Sequence, residues 1–330
     1  VTVSPEHISP PVPRTLCIGV DVTWWGGSPR RRDSQRETVV SAVLDDSVSL
    51  RVETVNLHDA INPDRAAPTE ANFDAGGAVI CAAIAATIRG RAGTFDRLVI
   101  ALDAPLEANV RPDQPPRHRA VAKGVKAGSK RRQSEDELQS FMRGLDPATR
   151  AAWAADLKIQ SGSPIPPRIA AIVGALGAAG YPPFRPAAAS DVVLEVFPSE
   201  AIFRLGVAGH YGALTSAQVR SYKAKKPARL AADAAHEAAS RPLLGFVPVL
   251  ECGGVPRAVV AQWVSTLSDY ACTVAGRDDG SVRKSKGFDD PIDSGIAFLT
   301  AAAFALGQFH AWGDGSDGVI VGPGVLQGRG

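Results

Sequence analysis

Thr15-Leu16-Cys17-Ile18-Gly19-Val20-Asp21 is a short, unbroken apolar run that ends in a carboxylate. A run of this kind reads as a strand buried on both faces. Phe95-Asp96-Arg97-Leu98-Val99-Ile100-Ala101-Leu102-Asp103 repeats the pattern, again closing on an acid and followed by Pro105. Between the two lie β-rich runs from Thr38 to Leu44 and from Val48 to Leu57, joined by Asp45-Asp46-Ser47. The short polar joint predicts an antiparallel hairpin. An Ala-rich amphipathic stretch from about Ala71 to Arg89 predicts a helix. Strand, helix and strand in that order form a crossover unit, so the strands ending at Asp21 and Asp103 should be parallel in one sheet.

A helix from about Pro167 to Gly180 leads to a third apolar strand, Asp191-Val192-Val193-Leu194-Glu195-Val196-Phe197-Pro198. Helices are expected beyond it, at roughly 199–206, 215–239, 255–275 and 291–309. The order predicts an α/β fold, a five-stranded mixed sheet flanked by helices. Residues 106–165 read as a helical and basic insertion after the fourth strand, with helices near 136–143 and 147–157. A Pro-rich arm occupies 1–14, the folded domain spans 15–310, and 311–330 reads as a C-terminal tail.

Of 330 residues, 45% are hydrophobic and 21% charged, the profile of a globular chain able to bury a large core. A net charge of +2 does not announce a nucleic-acid binder, so local charge has to carry that argument. The four cysteines, Cys17, Cys81, Cys252 and Cys272, form no CxxC pair. They read as free thiols, with Cys17 and Cys81 in apolar runs. No apolar stretch approaches the ~20 residues of a membrane span, and the N-terminal stretch has no signal-peptide core. A cytoplasmic protein with no membrane partner is expected.

A carboxylate in an apolar strand is costly to bury unless it is paired, protonated or bound to metal. Asp21 and Asp103, on parallel neighbours, should project at the same sheet edge, where open α/β sheets place their ligands. Charges so close raise each other's pKa unless a cation joins them. Hard oxygen donors select Mg2+ or Mn2+, and a pair of such ions ~4 Å apart is the usual clamp for phosphodiester cleavage. Each strand-terminal Asp taken singly also reads as the first residue of a loop. A fourth acidic element is Gly287-Phe288-Asp289-Asp290-Pro291-Ile292-Asp293-Ser294. There Pro291 suits the first helical position with Asp290 as N-cap and Asp293 one turn on. Helix capping is the alternative account of that pair.

Taken together, Ile18-Gly19-Val20-Asp21, Ala101-Leu102-Asp103-Ala104-Pro105, Leu194-Glu195-Val196-Phe197-Pro198 and Asp289-Asp290-Pro291-Ile292-Asp293 resemble the motifs of the DUF429 family. Its members are predicted RNase H-like nucleases, and the resemblance spans roughly residues 15–310. It implies an RNase H-like fold and, by analogy with Holliday-junction resolvases, a metal-dependent nuclease site. It implies Asp21 as a ligand shared by two metals, Asp103 as its partner, and Asp290 and Asp293 as the helix pair. Glu195 would be a further ligand or a water-orienting base. The chain departs from the pattern at Phe197, where the family has His. It departs again at Val22-Thr23-Trp24-Trp25, in place of a Gly-rich turn, and at Ser294, in place of Ala.

Residues 111–132 hold eight Lys and Arg against one acid, Asp113. Arg117, Arg119, Lys123, Lys126, Lys130, Arg131 and Arg132 are candidates for phosphate contact in a salt-dependent way, or simply a solvated loop. Lys223, Lys225 and Lys226 form a second cluster with the same two readings. Trp24 and Trp25 could stack bases. No GxSxG, Walker or GxGxxG pattern occurs, and the six histidines lack ligand spacing. The expected function is metal-dependent hydrolysis of nucleic-acid phosphodiesters. The alternative is a non-catalytic nucleic-acid-binding protein on the same fold. A phosphotransferase of the sugar-kinase type lacks its Gly-rich phosphate turn here.

Overall fold

The structure, a computed structural model, describes residues 13–22, 36–44, 50–56, 70–106, 132–155, 157, 167–186, 191–223, 231–276, 289–315 and 318–324. Several candidates lie outside these residues: Trp24, Trp25, Arg117, Arg119, Lys123, Lys126, Lys130, Arg131, Lys225 and Lys226.

The fold is α/β, with a mixed sheet of seven strands and helices on both of its faces. In chain order the sheet-forming elements are β1 (Thr15–Asp21), β2 (Arg36–Leu44), β3 (Arg51–Asn56), β4 (Arg97–Asp103), β5 (Val192–Val196), β6 (Phe309–Trp312) and β7 (Ile320–Pro323). Their order across the sheet is β3-β2-β1-β4-β5-β7-β6. The expected hairpin is β2 with β3, and β1, β4, β5 and β7 run parallel to one another. Helix α1 (Glu70–Gly90) makes the crossover from β3 to β4, and α2 (Gln133–Gly144) and α3 (Pro167–Ala178) precede β5. After β5 come α4 (Pro198–Val207), α5 (Ala232–Leu244), α6 (Val247–Cys252), α7 (Arg257–Gly276) and α8 (Asp289–Ala305).

The sheet has seven strands, not five. Residues 309–312 and 320–323, assigned to the end of the domain and the tail, form β6 and β7 and extend the sheet beyond β5. Each is only four residues long, and Gly322 and Pro323 fall inside β7, so neither shows a period-two pattern. The stretch 215–239 is not one helix. Ser216–Val219 passes into a 3-10 turn, Arg220–Lys223, and α5 starts only at Ala232. α8 begins at Asp289, so Asp290 lies inside its first turn rather than capping it. It stops at Ala305 because Gly307 turns the chain with a positive φ of 72°.

Both faces of the central strands are covered. Leu16, Ile18 and Val20 pack with Ile80 and Ile84 of α1 and Ile169 and Ile172 of α3. Cys17, on the opposite face, joins the core built with α4, α5, α7 and α8. Gly19 explains how closely α8 lies on β1: a Cβ there would fall 2.1 Å from the Phe298 backbone nitrogen and 2.5 Å from the Ser294 carbonyl oxygen. No larger residue allows helix and strand backbones to meet this way. The described part of the insertion packs into the same body. Leu138 of α2 is buried, Phe141 meets Phe203 and Trp312, and Trp153 stacks on Tyr211 at 5.5 Å. Among the described residues no helix is long and apolar enough to cross a membrane.

Candidate metal centre

Parallel pairing puts Asp21 directly opposite Asp103 in the register of β1 and β4. Each ends a strand whose other residues are largely buried, and each keeps partial exposure. α8 crosses β1 above them and carries Asp290 and Asp293 in its first two turns. Sequence separation is large, but two features bring these acids together. The Gly19 contact sets the height of α8. Ser294 Oγ accepts the Asp21 backbone N–H at 3.0 Å and lies 3.0 Å from the carbonyl oxygens of both Thr38 and Asp290, either of which can accept its proton. Ser294, one of the departures from the family pattern, therefore ties β1, β2 and α8 at the acid site.

The electrostatics record the crowding. Burial raises the Asp21 carboxyl well above the usual aspartate range, and Asp290, Asp103, Asp293 and Glu37 each raise it further. Asp103 is pushed up to about 8, first by burial and then by Asp293, while Lys223 works in the opposite direction. The Asp21 and Asp103 side chains are hydrogen-bonded to one another. Two carboxyls in such contact share a proton.

Two cations and a phenol complete the surroundings, and none was assigned its observed role from sequence. Tyr222 donates to Asp293 Oδ1 at 2.7 Å, and Lys223 Nζ lies 2.9 Å from Oδ2. Burial disfavours the Lys223 charge, yet Asp293, Asp103 and Asp21 together raise its pKa. Lys223, read from the sequence as either a phosphate contact or a solvated side chain, is instead turned onto the acids. Arg132 is the clearer correction to the phosphate-facing group, being 3% exposed. Its Nη1 donates to Glu195 Oε2 at 2.7 Å, its Nη2 to Glu195 Oε1, and its Nε to Glu135 Oε1 at 3.0 Å. A guanidinium so enclosed does not reach a nucleic-acid backbone. Glu195 also accepts the Leu106 N–H at 3.0 Å. One carboxylate thus holds both flanks of the basic stretch, Leu106 before it and Arg132 after it.

Asp21, Asp103, Asp290 and Asp293 are therefore gathered, whereas Glu195 stands next to them with its oxygens engaged. Of their partners, Glu37, Arg168, Tyr222 and Ser294 had no assigned site role in the sequence, and Arg132 had only that of a phosphate contact. Arg168 Nη1 reaches Glu37 Oε1 at 3.4 Å with both side chains buried beneath β2. The one signal that pointed inward was Glu135, at N3 of α2 where a capping acid belongs, returning to the Arg132 N–H at 3.1 Å.

Among the described residues no three His, Cys, Asp or Glu side chains are set to hold one metal ion. Mg2+ does not require three, since it keeps several waters and is commonly held by one or two carboxylates. The all-oxygen pair Asp21 and Asp103 is of the donor type that a hard divalent cation takes, and such an ion would favour the ionised form that burial and the neighbouring acids oppose. The chain matches no protein-family model, and comparison with curated proteins and with solved structures gives no match.

Proposed function

We propose that this chain is a metal-dependent nuclease of the RNase H-like kind, as its resemblance to the DUF429 family implies, hydrolysing nucleic-acid phosphodiesters with Mg2+ or Mn2+. The observation that carries the reading is the Asp21–Asp103 pair with the α8 acids above it. Four carboxylates from three elements are costly to keep together for structure alone, and a divalent ion would relieve the cost. The order hairpin, parallel strand, parallel strand, with acids at the strand ends, supports the same reading. When bound, the ion would lower the pKa of a water and offset charge on the phosphoryl oxygens. Asp21 and Asp103 would hold it, and Asp290 and Asp293 would join them as ligands or orient its water. The four free thiols accord with the cytoplasmic setting that belongs to this reading.

The test is cleavage of end-labelled single- and double-stranded DNA and RNA in Mg2+ and in Mn2+. Wild type should cleave at least one substrate, and folded Asp21→Asn should cleave none. Cleavage retained by the pure, folded variant overturns the mechanism. A second reading, a nucleic-acid-binding protein without catalysis, is favoured by one observation: Glu195 and Asp293 already have protein partners on their oxygens. It predicts salt-sensitive binding in EDTA and no metal-dependent cleavage.

A further inference from the structure

We infer that Lys223 is a resident cation of this acid cluster, holding Asp293 with its ammonium until a divalent ion takes that carboxylate from it. The inference rests on the metal-dependent reading and concerns how that site is kept in the absence of metal.

Both oxygens of Asp293 are occupied, Oδ1 by the Tyr222 hydroxyl at 2.7 Å and Oδ2 by the Lys223 ammonium at 2.9 Å. The ammonium also feels Asp103 and Asp21, so its charge serves the group and not one partner. Its placement is built in. Tyr222, 1% exposed, anchors the 3-10 turn Arg220–Lys223 in the core, and the next side chain is thereby directed to the acids. The Lys223 side chain keeps 36% exposure, which leaves the ammonium a way back to solvent. A compact charge on a flexible four-carbon stem suits this exchange better than a guanidinium fork. An ammonium and a divalent ion on the same carboxylate repel strongly in a half-buried site, so one must leave as the other binds.

Isothermal titration of Mn2+ into the full chain tests the exchange, using wild type, Lys223→Met, Lys223→Arg and Asp21→Asn, each checked for folding by circular dichroism. Removing the competing charge should tighten Mn2+ binding by Lys223→Met about tenfold or more. Lys223→Arg, which keeps the charge, should stay within about threefold of wild type, and Asp21→Asn should lose binding. A lysine with a purely structural role predicts the opposite sign. Equal or weaker binding by folded Lys223→Met, with wild type binding and Asp21→Asn not, overturns the exchange and leaves the metal reading standing. If folded wild type and Lys223→Met both fail to bind Mn2+, the metal reading falls and the exchange falls with it. Should Lys223→Met unfold without metal, Mn2+ must restore its fold at lower concentration than it stabilises wild type. Failure to restore it overturns the exchange.

Discussion

Asp21 and Asp103 stand directly opposite each other at the ends of two parallel strands, with a hydrogen bond between their carboxyls. In metal-free buffer this pair opposes folding, because ionising either acid places a charge among Asp290, Asp293 and Glu37. The Asp103 pKa rises on folding to about 8, so its contribution is fully present below pH 3.8 and is lost as pH rises through 8. Asn at this position cannot ionise. In EDTA at pH 8, Asp103→Asn should be more stable than wild type by at least about 1 kcal/mol in urea unfolding. The same variant should lose Mn2+ binding. A variant less stable than wild type at pH 8 would mean that the pair supports the fold and is no strained ligand set.

Ser294 makes a different kind of contribution. Its hydroxyl accepts the Asp21 N–H and sits between Thr38 and Asp290, so β1 and α8 are joined at the acids by one side chain. Ser294→Ala leaves that N–H without its acceptor in a largely buried place. The expected loss of stability is about 1–3 kcal/mol, read from the urea midpoint with an unchanged slope. An unchanged midpoint would show that water replaces the hydroxyl.

Glu195 divides the resemblance from the structure. The resemblance implies a ligand or base, but its carboxylate is enclosed by the Arg132 fork and the Leu106 N–H. Removing one partner of a buried pair leaves the other charge uncompensated. Glu195→Ala should therefore cost about 3–5 kcal/mol. Mn2+ affinity, compared by calorimetry on Glu195→Gln, should change little. Loss of metal binding at unchanged stability would reverse the assignment and return Glu195 to the ligand set.

What was legible in the sequence follows a physical boundary. β1, β4 and β5 were readable because strands buried on both faces are apolar throughout, so Asp21, Asp103 and Glu195 stood out against them. The Asp290 and Asp293 pair was readable from helical spacing. The partners of these acids were not. Arg132 and Lys223 end or join basic runs, and a run of cations gives no local sign that one side chain turns inward to an acid 63 or 70 residues away. β6 and β7 escaped for a related reason: they are held by neighbours, including the Arg204 guanidinium that donates to the Pro323 carbonyl at 3.0 Å, and not by their own pattern.

Those two strands carry a pH-sensitive attachment away from the acid cluster. Glu200 of α4 is fully buried, accepts the Trp312 indole N–H at 2.8 Å and lies 3.5 Å from Arg204 Nε. Burial raises its pKa from 4.5 to about 7, outweighing the lowering by Arg204 and by the indole. Its other oxygen, Oε2, is buried with no hydrogen-bond partner among the described residues, as suits a carboxyl that is protonated in the fold. With the folded value above the unfolded one, the contribution of Glu200 is fully present below pH 4.5 and fades as pH rises through 7. Between those limits it removes about 3 kcal/mol. Glu200→Gln, which is neutral at every pH and keeps an acceptor for Trp312, should match wild type near pH 4.5 and exceed it at pH 8. Thermal unfolding across that range measures the difference, with Trp312 fluorescence reporting on the β6 attachment. If the gap between the two proteins stays constant from pH 4.5 to 8, Glu200 does not titrate in this window and its carboxylate is held charged by Arg204.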